Sequence, residues 1–226
     1  MSEPLPLFPL NVVLVPGLVL PLHIFEPRYR GMVESLLSQP DPQSREFGIV
    51  GVRDGRSFDQ EGIEALYPVG TATILREAEL LPDGRYDIVT TGSRRFRIVS
   101  VDRSAPLAMA QVDFLQDEPG RQDDRHAERV AQDFNAYRQL LGGQLSVGDD
   151  SGASTDDLPR DPTVLSYLVT AAMVLPAGER QDLLAAPDTQ SRLRLAAALL
   201  RRENLLIATL SAVPAVEPLG DLGSPN

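Results

Sequence analysis

The 226-residue chain has the composition of a soluble globular protein, 42% hydrophobic and 23% charged, with a formal net charge of −11. This excess of negative charge disfavours nonspecific contact with nucleic acid or anionic lipid. The absence of cysteine excludes disulfides, thiolate metal sites and a cysteine nucleophile within these residues. All 21 basic residues are arginine. Without lysine, these residues form neither a Walker A loop nor a Ser–Lys dyad.

The first apolar run, at 5–25, is interrupted by four prolines and carries an asparagine and a histidine, so it does not fit a membrane-spanning helix. Residues 11–15 are rich in β-branched side chains and predict a strand, Pro16-Gly17 predicts a turn, and 18–20 predict a resumed extended segment. No basic stretch precedes the run, so we expect no signal peptide and a cytoplasmic location.

Most of the first half predicts β-structure. Glu26-Pro27 predicts the start of one early helix, which ends before Pro40. Residues 47–53 predict a buried strand, 54–62 a polar loop, 68–101 a β-meander with a hairpin at Asp83-Gly84, and 108–115 a last strand. Gly92 is expected to break the meander into separate strands. This many short strands favours a closed or partly closed barrel.

The composition changes at 116–124, and helical periodicity follows. Helices are predicted at 125–141, after the Asp161-Pro162 N-cap, near 179–186, and from Pro187-Asp188-Thr189 to about 212, with a polar loop at 142–160. The second of these helices is expected to bury one apolar face, made of Val164, Leu165, Leu168, Val169 and Ala172. We therefore predict a barrel at 1–117, a helical bundle with a long final helix at 118–213, and a disordered tail at 214–226.

One family shares the order of the motifs in this chain. LPLFPLNVVLVPGLVLPLHIFEPRYRGMV at 5–33 is similar to the start of the N-terminal, substrate-binding domain of Lon proteases. The similarity continues in four short motifs: FGIV at 47–50, VGTATI at 69–74, LPDGRY at 81–86 and GSRRFRI at 92–98. The leucine-rich segment at 165–203 resembles the helical half of that domain. The resemblance thus extends over nearly the whole chain.

The resemblance implies an α+β fold, a PUA-like β-barrel followed by a C-terminal helical bundle. It implies a free-standing member of the family without ATPase or peptidase domains, a non-catalytic protein- or peptide-binding module in protein quality control. The expected partners are unfolded or tagged proteins, together with a protease or chaperone. No catalytic, cofactor or metal site is predicted, since there are two histidines, no cysteine and no G-x-S-x-G motif.

A polar cluster at the start of the early helix is the candidate peptide-binding site. Glu26, Arg28 and Tyr29 could line a groove at this strand-to-helix junction. The same residues also fit a structural role, with Glu26 capping the helix and the other two holding it against the barrel. The structural interpretation is favoured.

The alternative function is RNA binding, because PUA-like barrels also occur in RNA-binding proteins. Arg94, Arg95 and Arg97 form the tightest basic cluster of the first half. Three arginines on a chain of net charge −11 are a weak electrostatic footprint for RNA. A solvated strand face is the favoured interpretation of this cluster.

Overall fold

The computed structural model describes residues 2–120, 124–145 and 158–211. The strands all lie in the first half: β1 (Glu3–Leu10), β2 (Val19–Ile24), β3 (Glu46–Gly51), β4 (Val69–Leu80), β5 (Tyr86–Asp102) and β6 (Met109–Phe114). The helices are α1 (Pro27–Leu37), α2 (Phe58–Glu61), α3 (Asp124–Leu145), α4 (Pro162–Ala172), α5 (Ala177–Ala185) and α6 (Thr189–Ser211). None of the helices in these ranges has the length and apolar character needed to cross a membrane.

The six strands form one sheet in the order β2-β5-β4-β3-β1-β6, and β6 pairs back onto β5. Five strands thereby form a closed ring, and β2 is attached outside it through β5. The β1–β3 pair is parallel and the other pairs are antiparallel. Together with the helices of the second half, this confirms the predicted α+β class with a barrel followed by a helical bundle.

Gly92 does not divide the meander, so that prediction is wrong. β5 runs through Gly92 as one strand of 17 residues, with an irregularity in its pairing to β4 between Thr71 and Thr73. A Cβ at Gly92 would lie 2.5 Å from the carbonyl oxygen of Val15. Glycine is required here for the close approach of another backbone segment, and the strand continues past it.

The predicted strand at 11–15 is also wrong, because this segment belongs to no strand. Its Val13, Leu14 and Val15 are nevertheless 3% exposed or less. The β-branched residues reflect burial of a segment that belongs to no strand. The first strand lies earlier, at β1, despite its prolines.

The helical half has a core of its own. Its helices α4 and α6 begin at the predicted caps. Val130, Phe134 and Tyr137 of α3 pack with Leu193 and Leu200 of α6. The aspartates of the two predicted motifs are the capping residues. Asp161 accepts from the backbone N–H groups of Thr163 and Val164, and Asp188 accepts from that of Ser191. Such caps satisfy N–H groups that have no partner within the helix. The segment predicted as a disordered tail, 214–226, lies outside the described residues, as does 146–157 of the predicted loop.

Helix α4 differs from the prediction in the face that it buries. Leu165 and Val169 are buried in the bundle core, at 3% and 0% exposure. Val164 and Leu168 are 52% and 38% exposed, and Ala172 is exposed too. The helix has more apolar residues than one buried face needs, so a second apolar face remains at the surface.

Candidate functional site

The barrel and the helical half meet across a shared apolar layer. Val13, Val15 and Val69 of the barrel half pack in one cluster with Tyr167 of α4 and Leu184 of α5. At its edge, the side-chain amide of Gln181 donates a 2.9 Å hydrogen bond to the carbonyl of Val69. This contact fixes the position of α5 relative to the barrel strands.

A buried polar cluster lies beside this layer. Arg95 of β5 and Arg192 of α6 are 1% and 0% exposed, and both reach Oδ1 of Asp117, at 2.8 Å and 3.2 Å. Arg95 also donates to the carbonyl oxygens of Leu184 and Ala186. Arg95 therefore joins the two halves. The interpretation of its strand face as solvated is wrong at this residue.

Tyr167 completes the cluster. Its hydroxyl donates to Oδ1 of Asp117 at 2.5 Å, and the Arg192 guanidinium carbon lies 4.0 Å from the centre of its ring. Burial raises the pKa of Tyr167 above its ordinary value, and the nearby Arg192 opposes this effect. The phenol therefore stays neutral near pH 7 and acts as a hydrogen-bond donor.

A groove opens next to this cluster, between the barrel and α4. One wall is the turn of Pro16, Gly17 and Leu18, and the other is the second apolar face of α4, made of Val164, Leu168 and Ala171. Asp117, Tyr167 and Ser93 contribute polar groups to the lining. The groove has a volume of about 380 Å³, which is within the range of small ligand sites. We call it the junction groove.

The barrel wall of the groove is a fixed turn. Pro16 and Gly17 occupy its central positions, with Gly17 at φ +83°, and the N–H of Leu18 donates to the carbonyl of Val15 at 3.2 Å. Two more backbone bonds of 2.9 Å tie Gly17 and Leu18 to Gly92 of β5. Proline followed by a glycine with positive φ is typical of a type II turn. The wall is therefore preformed.

The predicted site residues Glu26, Arg28 and Tyr29 lie together at the start of α1, away from the groove lining. Arg28 pairs with Glu26 at 2.8 Å and with Asp59 at 3.0 Å. Tyr29 is 6% exposed, and its ring centre lies 4.2 Å from that of Phe8. Glu26 makes no side-chain cap bond to α1. Only Glu26 and Arg28 are accessible to a ligand here, and a binding role for the cluster stays a prediction.

The three arginines of the RNA alternative are not a joint surface. Arg95 is buried in the junction, and Arg94 pairs with Glu46 at 3.0 Å and lies 3.4 Å from the centre of the Phe114 ring. Arg97 is exposed. The RNA alternative therefore has much less support in the structure than in the sequence.

Sequence reasoning did not identify the junction groove, because Val164 and Leu168 were assigned to the core. The available signal was the apolar character of α4 around its circumference, which predicts either complete burial or a binding surface. The turn at Pro16-Gly17 was predicted, but its position against α4 depends on contacts between distant parts of the chain.

A barrel with one parallel strand pair, joined to a helical bundle across an open apolar groove, defines a two-part α+β domain. The chain belongs to the family described as the ATP-dependent protease La (LON) substrate-binding domain, whose sequence model matches residues 4–202. It is 29% identical over 209 residues to Lon protease 2 of Sorangium cellulosum and 26% identical to Lon protease 2 of Myxococcus xanthus. These matches cover 89% and 90% of the chain. The chain spans about a quarter of the length of these relatives, 25% and 24%.

Two solved structures share the fold. A Lon N-terminal domain protein from Xanthomonas campestris has a TM-score of 0.64 at 23% identity, and the match covers 87% of this chain and 98% of that one. The N-terminal domain of Mycobacterium avium complex Lon protease has a TM-score of 0.65 at 17% identity, over 88% and 98% of the two chains. The matched family model is that of the substrate-binding domain, and not that of a peptidase or an ATPase.

Proposed function

We propose that this domain is a non-catalytic module that binds extended apolar segments of unfolded or tagged proteins, and that the junction groove receives them. The observation that carries the proposal is the second apolar face of α4, exposed at Val164 and Leu168 opposite a preformed turn. Exposed apolar side chains that line a concave surface are typical of a binding site.

The polar groups of the groove suit a peptide backbone. In the described part of the chain, Arg95, Arg192 and Tyr167 all bond to the same oxygen of the Asp117 carboxylate, Oδ1. Oδ2 can therefore accept from a peptide N–H. A few such bonds would orient an extended segment, while contact with the two walls supplies most of the affinity.

The biological context is part of the same proposal. Relatives of this chain carry the name Lon protease, and a domain that holds unfolded segments would present them to a protease or a chaperone. We place this activity in the cytoplasm, in protein quality control.

Apolar contacts between a peptide and the groove depend little on salt concentration. RNA bound through three phosphate contacts would instead give a log–log salt slope of about −2.

The test is binding of fluorescently labelled extended peptides to two matched valine variants. Val164 is the third residue of α4 after the Asp161 cap, where glutamate favours the helix. V164E therefore keeps the fold while placing a charge in the groove. V174E changes a valine that is 73% exposed and lies outside the groove lining.

We expect V164E to weaken binding at least tenfold and V174E to leave it within twofold of the unsubstituted protein. Equal affinities for the two variants would contradict the groove as the binding site. Micromolar RNA binding with a slope near −2, together with no peptide binding, would favour the RNA alternative.

A further inference from the structure

Strand β2 has a free edge. In the described part of the chain it pairs only with β5, whereas each of the other five strands has neighbours on both sides. The carbonyl of Leu18, just before β2, accepts from the N–H of Gly92 at 2.9 Å, and the carbonyl of Leu20 accepts from the hydroxyl of Thr90 at 3.0 Å. Both carbonyls therefore point towards β5.

The open groups follow from this register. Backbone groups alternate in direction along a strand, so those of Val19, Pro21 and His23 point away from β5. Val19 and His23 each present an N–H donor and a carbonyl acceptor. Pro21 presents only an acceptor, because proline has no N–H. An extended peptide backbone is the partner that matches such a row of unpaired backbone donors and acceptors.

Apart from His23, the side chains of this edge are apolar, and they are continuous with the junction groove. Val19 is 55% exposed, and Phe25, directly after the strand, is 62% exposed. Leu20 and Leu22 of the opposite face are half-buried. Leu18, the residue before β2, lines the groove. A segment held in the groove can therefore continue along β2.

The electrostatic surroundings specify the occupant further. A hollow of about 590 Å³ on this sheet has Pro21 and His23 of β2 in its lining, and also Glu77, Glu79 and Asp87. His23 Nδ1 lies 2.6 Å from Asp87 Oδ1, and none of the arginines that the structure describes lines this hollow. Three carboxylates and at most one imidazolium line the hollow, and the nearby Arg85 is paired with Asp83. The surface beside the free edge is therefore negative, which complements a basic side chain.

We propose that an extended client segment with apolar residues and at least one lysine or arginine adds to β2 as a further strand. This inference rests on the proposed function and names the client's conformation and chemistry. A basic side chain on the added strand, one strand spacing of about 4.8 Å from β2, would reach over β2 towards Asp87.

The direct test is the substitution P21V, which supplies the one missing donor of the edge. Valine is favoured in strands, so the variant keeps β2. One added backbone hydrogen bond is expected to tighten peptide binding about fivefold. Two peptides of identical sequence, N-methylated at alternate amides in opposite registers, are the matched probes. One register is expected to lose binding and the other to keep it.

The outcomes separate this inference from the proposed function. Tighter binding by P21V with a register-selective effect of N-methylation supports strand addition. Binding that V164E weakens, but that neither P21V nor N-methylation in either register alters, would overturn strand addition and leave the groove as the site. Absence of peptide binding to the unsubstituted protein would overturn both.

The charge preference has its own measurement. The probe for this measurement is an extended apolar peptide with one lysine. Replacing that lysine by norleucine is expected to weaken binding to the unsubstituted protein about threefold. The same replacement should have no effect on binding to a variant that carries D87N, E77Q and E79Q, which removes all three carboxylates of the hollow. An equal loss in the two proteins would contradict the charge part of the inference.

Discussion

Arg95 on β5 and Arg192 on α6 lie on opposite sides of the domain junction and share one oxygen atom, Oδ1 of Asp117. Both guanidinium groups are out of contact with solvent, while the Asp117 side chain is 29% exposed. Buried charges of equal sign are tolerated only with a counter-charge and hydrogen bonds. This cluster holds the helical half against the barrel and sets the position of the groove walls.

The substitution D117N tests this relationship, because it removes the counter-charge of both arginines and keeps the shape of the side chain. Loss of one partner of a buried pair costs about 3–5 kcal/mol, and the partial exposure of Asp117 lowers this to about 2 kcal/mol. Urea unfolding measures the change. D113N is the control, since Asp113 is exposed and bonds only Ser2 in the described structure. Equal stabilities of the two variants would contradict the role of the cluster.

Stability at high pH depends on Tyr29, whose pKa burial raises to about 12. In the unfolded chain a tyrosine loses its proton near pH 10. Between these values the unfolded state binds fewer protons than the folded state, so the free energy of unfolding falls as the pH rises. From pH 10 to pH 11, the free energy of unfolding should fall by about 1 kcal/mol more for the unsubstituted protein than for Y29F. Equal losses would mean that Tyr29 titrates normally.

Two glycines give opposite expectations for the same change to alanine. Gly31 is an exposed position of α1 with nothing within 4 Å of an added Cβ, so G31A should stabilise the protein by about 1 kcal/mol. In G92A the added methyl would lie 2.5 Å from the Val15 carbonyl oxygen, and a loss of about 2 kcal/mol is expected. Thermal unfolding distinguishes them. A neutral G92A would contradict the tight contact between β5 and the groove turn.

Local signals predicted much of the fold. The Asp161 and Asp188 caps, the Asp83-Gly84 turn and the Pro16-Gly17 turn all depend on neighbours within a few residues, and all four positions are as expected. These motifs act through hydrogen bonds to neighbouring backbone groups, so they form the same local structure in any tertiary context.

The burial of particular side chains was not predictable in the same way. The partners of Arg95 include Asp117 and the carbonyls of Leu184 and Ala186, which are 89 and 91 residues away along the chain. An alternating strand pattern cannot reveal a helix that covers its polar face. Likewise, Val164 and Leu165 are chemically similar neighbours, and only the packing of α4 exposes one and buries the other.

The most direct measurement is site-specific photo-crosslinking to a permanently unfolded protein, reduced and alkylated α-lactalbumin. A photoreactive residue at position 168 lies in the junction groove, and one at position 99 replaces an exposed valine of β5 that is outside the groove lining. If the groove holds extended apolar segments, position 168 crosslinks to the unfolded protein, position 99 does not, and native α-lactalbumin crosslinks to neither. Equal crosslinking from the two positions, or none from position 168, would contradict the account.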